Sequence, residues 1–121
     1  PISEIASGEF VRLEADTPLQ SARQALVSAQ VTEAYVCGAD DQLIGKVDIH
    51  SLAQASSLAS ALDPSPVTLE ADGKLTDAMT TASTFVGESI PVVHQGRLVG
   101  ALSEGDIFNK VLQIQASLRQ Q

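Results

Sequence analysis

The sequence predicts a mixed α/β (α+β) fold built from two copies of one unit. The word Leu-Glu-Ala-Asp at positions 13–16 returns unchanged 56 residues later, at positions 69–72. A second match, Leu43–Gly45 with Leu98–Gly100, follows at an offset of 55 residues. Two copies are too few for a solenoid, which needs about three units to bury a continuous core. We therefore expect one compact pair of repeats, residues 1–62 and 63–121, related by a pseudo-twofold axis.

The first repeat is expected to run strand, helix, strand, strand, helix. Asp16-Thr17-Pro18 predicts a helix start, with a side-chain oxygen as the cap and a proline early in the first turn. The helix is amphipathic, since its apolar residues recur at spacings of three and four. The predicted elements are a strand at Phe10–Leu13, a helix at Leu19–Ala29, a hairpin of strands Ala34–Cys37 and Leu43–Val47, and a helix from His50 to about Leu62.

The second repeat shows the same order with clearer signals. Its last helix carries apolar residues far along its length, more than a small core needs, which indicates a packing partner. The predicted elements are a strand at Val67–Leu69, a helix at Leu75–Thr84, strands Ile90–Val93 and Arg97–Leu102, and a helix from about Glu104.

Composition and charge exclude several classes of protein. The chain has 121 residues, 44% of them hydrophobic, and a net charge of −8. Its seven basic residues are scattered, whereas a nucleic-acid binder needs a clustered basic face. A single cysteine, Cys37, cannot form an intramolecular disulfide, which suits the cytoplasm. No run of about 18 apolar residues is present, so we expect a soluble fragment, cut from a longer polypeptide.

The segment from Glu88 to Phe108 carries the most specific pattern. An apolar strand with a proline (Ile90–Val93) is followed by a turn, a strand ending in glycine, and then Ser103-x-x-Asp106 at a helix start. A hydroxyl beside free backbone N–H groups can hold an anion there. The carboxylate one turn later can accept hydrogen bonds from both ribose hydroxyls. This order resembles the cystathionine-β-synthase (CBS) domain family, and with the repeat the resemblance covers nearly the whole chain.

The resemblance implies a regulatory ligand-sensing pair that binds an adenosine-type ligand between its repeats. No cofactor is required, and AMP, adenosine or ATP is the expected regulatory ligand. Because Glu104 lies beside Ser103 and works against a triphosphate, we rank AMP or adenosine above ATP. The implied binding residues are Ser103, Asp106, Ile90, Pro91, Val67 and Thr68, with Ser89, Gly100, Asp48 and Ser51 as secondary positions.

Two readings of this motif stay open. Ser103 and Asp106 also suit an ordinary helix cap. The first repeat departs from the pattern, since Asp48 stands where Ser103 does and Ser51 where Asp106 does. A carboxylate at Asp48 repels phosphate, although Lys46 or His50 can partly compensate. We therefore expect at most one good nucleotide site.

The remaining candidates for chemistry are weak. His50 and His94 lie in different repeats and have no partners at metal-ligand spacing, so no metal site is expected. Cys37 lies in an apolar strand and is expected to be a core residue. No set of nucleophile, base and oxyanion donor is recognisable, so the chain is not expected to be an enzyme.

The parent protein is the last expectation. Phe85–Val93 and the helix after it look most like the C-terminal region of bacterial voltage-gated chloride channels and antiporters. That parent implies a place on the cytoplasmic face of the inner membrane, with the transporter's membrane domain as partner. Other transporters or a metabolic enzyme such as IMP dehydrogenase are alternative parents. The family's usual homodimer is also expected, and a structural dimerisation module without ligand is the alternative function.

Overall fold

The computed structural model describes residues 1–82 and 89–119. The elements of the first repeat are β1 (Arg12–Glu14), α1 (Leu19–Ala29), β2 (Glu33–Cys37), β3 (Leu43–Asp48), α2 (Ile49–Gln54) and α3 (Leu58–Ala61). Those of the second are β4 (Leu69–Glu70), α4 (Leu75–Ala82), β5 (Ile90–His94), β6 (Arg97–Leu102) and α5 (Glu104–Arg119), and one 3-10 turn, Ile2–Glu4, precedes β1. The predicted element order is confirmed.

Each repeat contributes one three-stranded sheet, in the orders β1-β2-β3 and β4-β5-β6. The first two strands of each sheet are parallel, and β2 and β3 form the predicted antiparallel hairpin. Each hairpin turns on two residues with positive φ: Asp40 and Asp41 in the first, Gln95 and Gly96 in the second. Such turns match the right-handed twist of the strands they connect.

The described residues form two compact units that are discontinuous in sequence. Unit 1 comprises Pro1–Gly8, Val67–His94 and Val99–Gln121, and unit 2 comprises Glu9–Pro66 and Gln95–Leu98. Each unit has its own apolar core. The core of unit 1 is Ile2, Leu69, Ala71, Ala78, Ile90, Val92, Leu102 and Ile107, and that of unit 2 is Leu13, Ala22, Leu26, Ala34, Val36, Val47, Leu52 and Leu58. The division of the sequence at residues 62 and 63 stays a prediction.

Two short arms, residues 1–8 and 57–64, explain why the units are discontinuous. In unit 1, Ser7 pairs with Ala101 in both directions, at 2.8 and 2.9 Å between N and O. In unit 2, Asp63 pairs with Lys46 in the same way, at 2.8 and 3.0 Å. Ser7 and Asp63 lie 56 residues apart, the offset of the repeat. The arms are therefore equivalent segments, and each is grouped with the hairpin of the other repeat.

Glycines make this close pairing possible. A β-carbon on Gly45 would stand 2.3 Å from the carbonyl oxygen of Asp63, and one on Gly100 would stand 2.9 Å from the Ala6 β-carbon. Gly45 and Gly100 are the matched glycines of the two repeats. Their repetition in the sequence therefore has a steric cause, since each admits an arm.

Two details of the predicted helices are wrong. The helix expected from His50 to Leu62 is broken into α2 and α3, because Ser57 starts a new helix by accepting a hydrogen bond from the N–H of Ser60. At α1 the N-cap is Pro18, and no side chain of Asp16 or Thr17 caps it. The predicted end of α4, residues 83–84, lies outside the described residues.

Candidate functional site

The predicted binding positions of the second repeat converge at one end of its sheet. Strand β4 runs parallel to β5, with Leu69 opposite Val92. Continuing this register backwards by two residues sets Val67 opposite Ile90 and Thr68 opposite Pro91. Val67 and Thr68 are exposed, whereas Ile90 and Pro91 are buried.

Ser103 and Asp106 belong to the same end. Because a two-residue turn joins β5 to β6, the start of β5 and the end of β6 lie at the same edge of the sheet. Ser103 directly follows β6, and α5 begins at Glu104. The sheet therefore brings an exposed strand entry, a buried apolar floor and a helix N-terminus to one place, all within unit 1.

Ser103 and Asp106 cap one another. The N–H of Ser103 donates to Oδ2 of Asp106 at 2.9 Å, and the N–H of Asp106 donates to Oγ of Ser103 at 3.1 Å. This is the reciprocal geometry of a capping box, with aspartate in the position where glutamate is usual. The predicted helix cap is thus present, and both side chains are partly exposed.

The cap leaves binding capacity at the helix start. Since the Ser103 hydroxyl acts as an acceptor in the cap, its proton is available to donate, and Oδ1 of Asp106 can accept from a further donor. The N–H groups of Glu104 and Gly105 belong to the first turn, where backbone donors have no partner within the helix. The site can therefore offer donors and an acceptor to one ligand without losing the capping bonds.

The charges near the site disfavour a highly charged ligand. Glu104 is exposed and directly follows Ser103. In the described part of unit 1 the basic residues with described side chains are Lys74 and Lys110, and the latter lies one helical turn beyond Asp106. Electrostatic attraction at the helix start is therefore limited to the helix N-terminus itself.

The corresponding position of the first repeat is arranged differently. Asp48 caps α2, and its carboxylate accepts both the N–H of Ser51 at 2.8 Å and the hydroxyl of Ser51 at 3.3 Å. The Ser51 hydroxyl proton is thus already used. A negative carboxylate stands where an anionic ligand would approach, which makes this position unsuited to phosphate.

Lys46 does not offset that charge freely, because it forms an ion pair with Glu33 on the neighbouring strand. The side chains of Lys46 and Glu33 are only 13% and 14% exposed. His50 is exposed.

Among the secondary positions, Gly100 is buried beneath the arm at Ala6, and Ser89 is partly exposed. The role of each predicted residue in ligand binding stays a prediction. Sequence reasoning missed the arm, Ile5–Ser7, that borders β6 beside the site; the match of Ile2 with Leu58 at the repeat offset of 56 was the available signal.

The other candidates for chemistry lie apart from this site. Cys37 is buried and unpaired in β2, in unit 2. Within residues 1–82 and 89–119, no group of three or more His, Cys, Asp or Glu side chains is placed to hold a metal ion. Over the same residues, no helix has both the length and the apolar character needed to cross a membrane.

Comparisons with known proteins bear on the whole chain. Residues 59–113 match the model of the CBS domain family. The crystal structure of CBSX2 from Arabidopsis thaliana in complex with AMP superposes with a TM-score of 0.82 at 21% identity, covering 94% of this chain and 97% of that chain. The chain has the fold of a CBS domain pair.

Two further CBS-pair neighbours agree with this fold. Staphylococcus aureus OpuCA gives a TM-score of 0.79 at 24% identity over 88% of this chain and 95% of that chain. The CBS domain pair of protein MJ0100, in complex with 5′-methylthioadenosine and S-adenosyl-L-methionine, gives 0.75 at 16% identity over 91% and 94%. No curated protein matches the sequence. The mixed α/β CBS-pair fold expected from the repeat is confirmed.

Proposed function

We propose that this CBS pair is a regulatory, non-catalytic module that binds an adenosine-type ligand at the start of α5. The observation that carries the proposal is the accessible pair of Ser103 and Asp106, which cap each other and keep a hydroxyl proton and a carboxylate oxygen available. Two structural neighbours hold ligands of this class: AMP in CBSX2, and 5′-methylthioadenosine and S-adenosyl-L-methionine in MJ0100.

The ligand's parts can be assigned to the site by their chemistry. Oδ1 of Asp106 accepts from the ribose hydroxyls, and the exposed entry at Val67 and Thr68 admits the adenine beside the buried Ile90 and Pro91. A single phosphate meets the Ser103 hydroxyl and the N–H groups of the first turn. Since Glu104 faces any longer phosphate chain, AMP or adenosine is preferred to ATP.

The parent protein is proposed from sequence alone. The pattern from Phe85 to Phe108 most resembles the C-terminal region of bacterial chloride channels and antiporters. With such a parent, the module acts on the cytoplasmic face of the inner membrane, and the membrane domain is its partner. A regulatory pair of another transporter or of a metabolic enzyme is the alternative.

The test is thermal unfolding with adenosine, AMP, ATP and S-adenosylmethionine. A ligand at about 100 times its dissociation constant adds roughly 2.7 kcal/mol of stability. Asp106→Ala should abolish the shift produced by AMP or adenosine. The matched control is Asp48→Ala, which removes an equivalent cap carboxylate from the other repeat and should leave the shift intact. The absence of a shift with every compound, or an equal loss in both variants, would contradict ligand binding at Asp106.

A second candidate function is a structural homodimerisation module without ligand. It is favoured by the exposed apolar residues of α5, Phe108, Leu112, Ile114 and Leu118. In that case no compound shifts the unfolding temperature, and Asp106→Ala shows only the loss of a helix cap, about 1 kcal/mol. The same measurement therefore decides between the two functions.

A further inference from the structure

Helix α5 extends beyond the core that it helps to build. Ile107 is 7% exposed and Val111 packs partly against the core of unit 1. Ile114 and Leu118 continue the same stripe, at spacings of four, three and four residues, but are 42% and 64% exposed. Alternating spacings of three and four characterise a helix that packs along another helix. The stripe is therefore used by the core at its start and uncovered at its end.

A second apolar row lies beside this stripe. Phe108 and Leu112 are 63% and 47% exposed, and a helix advances about 100° per residue, which puts them roughly 100° from Ile114 and Leu118 around the helix. These four residues, the α5 face, make a broad apolar arc. An arc of this width can receive a neighbouring helix.

The charges along α5 indicate what covers this face. The chain carries fifteen acidic residues and a net charge of −8, yet positions 107–118 contain no acidic residue and a single charged one, Lys110. Two copies of an acidic chain repel each other over most of their surface. They can meet at the α5 face without opposing carboxylates, so this is the surface where a second copy is accommodated.

The ends of the helix favour one orientation. Glu104 and Asp106 lie in the first turn. A parallel pair would bring the two acidic first turns together and align the two helix dipoles, whereas an antiparallel pair avoids both. Centred on Gln113, an antiparallel pair sets Phe108 against Leu118 of the second copy and Leu112 against Ile114 of the second copy.

We propose that two copies of this chain associate through their α5 faces, with the helices antiparallel and Gln113 at the centre. The association is independent of ligand binding. Because the contact is only about one helix wide, we expect a weak dimer that forms between roughly 10 µM and 1 mM protein. Added salt should strengthen it by screening the repulsion between the acidic chains.

The first test is sedimentation equilibrium of the 121-residue chain across that concentration range. Leu112→Glu and Leu118→Glu replace exposed side chains, so folding is unaffected, and each should raise the dimer dissociation constant at least tenfold. Val27→Glu is the matched control, because Val27 is 63% exposed and lies on α1 in unit 2. A monomer at every concentration, or a dimer weakened by Val27→Glu and not by the α5 variants, overturns the proposal.

The second test measures orientation by distances between spin labels on a Cys37→Ala background. Labels at Asn109, Gln113 and Ser117 occupy exposed positions four residues apart on one side of α5. In the antiparallel dimer the Gln113 labels are closest, while the Asn109 pair and the Ser117 pair are each offset by about 12 Å along the helix axis. Equal distances at all three positions indicate parallel helices and overturn the proposed arrangement.

Discussion

The carboxylate of Asp48 accepts two hydrogen bonds from Ser51, one from its N–H at 2.8 Å and one from its hydroxyl at 3.3 Å. In α5 the same two residue types appear in exchanged order, with serine first and aspartate three residues later. Both arrangements cap their helix. Cap formation is therefore preserved between the repeats, while the groups left for a ligand differ.

Asp48→Ala should lower the free energy of unfolding by about 1 kcal/mol, because α2 loses the acceptor for its N-terminal N–H. Ser51→Ala should lower it by less, since the bond to the Ser51 N–H remains. Urea denaturation of both variants measures the difference. Equal losses would show that the hydroxyl bond, and not the backbone bond, dominates this cap.

Gly45→Ala and Gly100→Ala should both destabilise, by roughly 1–3 kcal/mol, because each new methyl group would overlap the arm packed on it. The loss at Gly45 should be the larger, since its nearest neighbour is a backbone oxygen at 2.3 Å, whereas Gly100 faces the Ala6 side chain at 2.9 Å. Gly8→Ala is the control, because a β-carbon there meets nothing within 4 Å. Chemical denaturation should rank the losses in the order Gly45, Gly100, Gly8.

Arg23→Ala should cost about 1–2 kcal/mol, because the Arg23 guanidinium caps the C-terminal end of α2. Its Nε donates to the carbonyl of Leu52 at 2.9 Å, and its Nη2 donates to the carbonyls of Ala53 and Ala55 at 3.4 and 3.5 Å. Arg23→Lys should restore only part of the loss, since an ammonium lacks the planar fork. The neighbouring exposed residue provides the control, Gln24→Ala, which should be nearly neutral in the same denaturation assay.

Burial raises the pKa of the Cys37 thiol above its ordinary value of 9.0, although the nearby Arg12 opposes part of this shift. The unfolded thiol therefore ionises before the folded one. The free energy of unfolding should be unaffected below about pH 9 and fall as the pH rises towards the raised pKa of the folded thiol. Comparing wild type with Cys37→Ala between about pH 8 and 10.5 isolates this effect; parallel curves would refute it.

The sequence predicted the elements whose signals are local. Alternating or apolar runs located β2, β3, β5 and β6 within one residue, and α5 begins at Glu104 as expected. The Ser103 and Asp106 cap followed from residue type and spacing. These features depend on neighbours three or four residues away, which a single sequence displays directly.

The features that the sequence did not disclose depend on distant residues. The break between α2 and α3 follows from Ser57 bonding to Ser60, in a segment rich in helix-forming alanine and leucine. The contact of Ser7 with Ala101 joins residues 94 positions apart. Propensity and periodicity contain no term for such pairings, and only the repeat offset relates Ser7 to Asp63.

The exchanged arms also determine how the polypeptide can be divided. A fragment beginning at Val67 lacks Ile2, which is 1% exposed in the core of unit 1, and a fragment of residues 9–56 lacks Leu58 from the core of unit 2. Neither fragment contains all of its own interior. The two halves, cut at the prolines between the repeats and mixed, should instead recover the native state by complementing each other, so that the protein behaves as a reconstitutable pair of fragments although neither half is a complete folding unit.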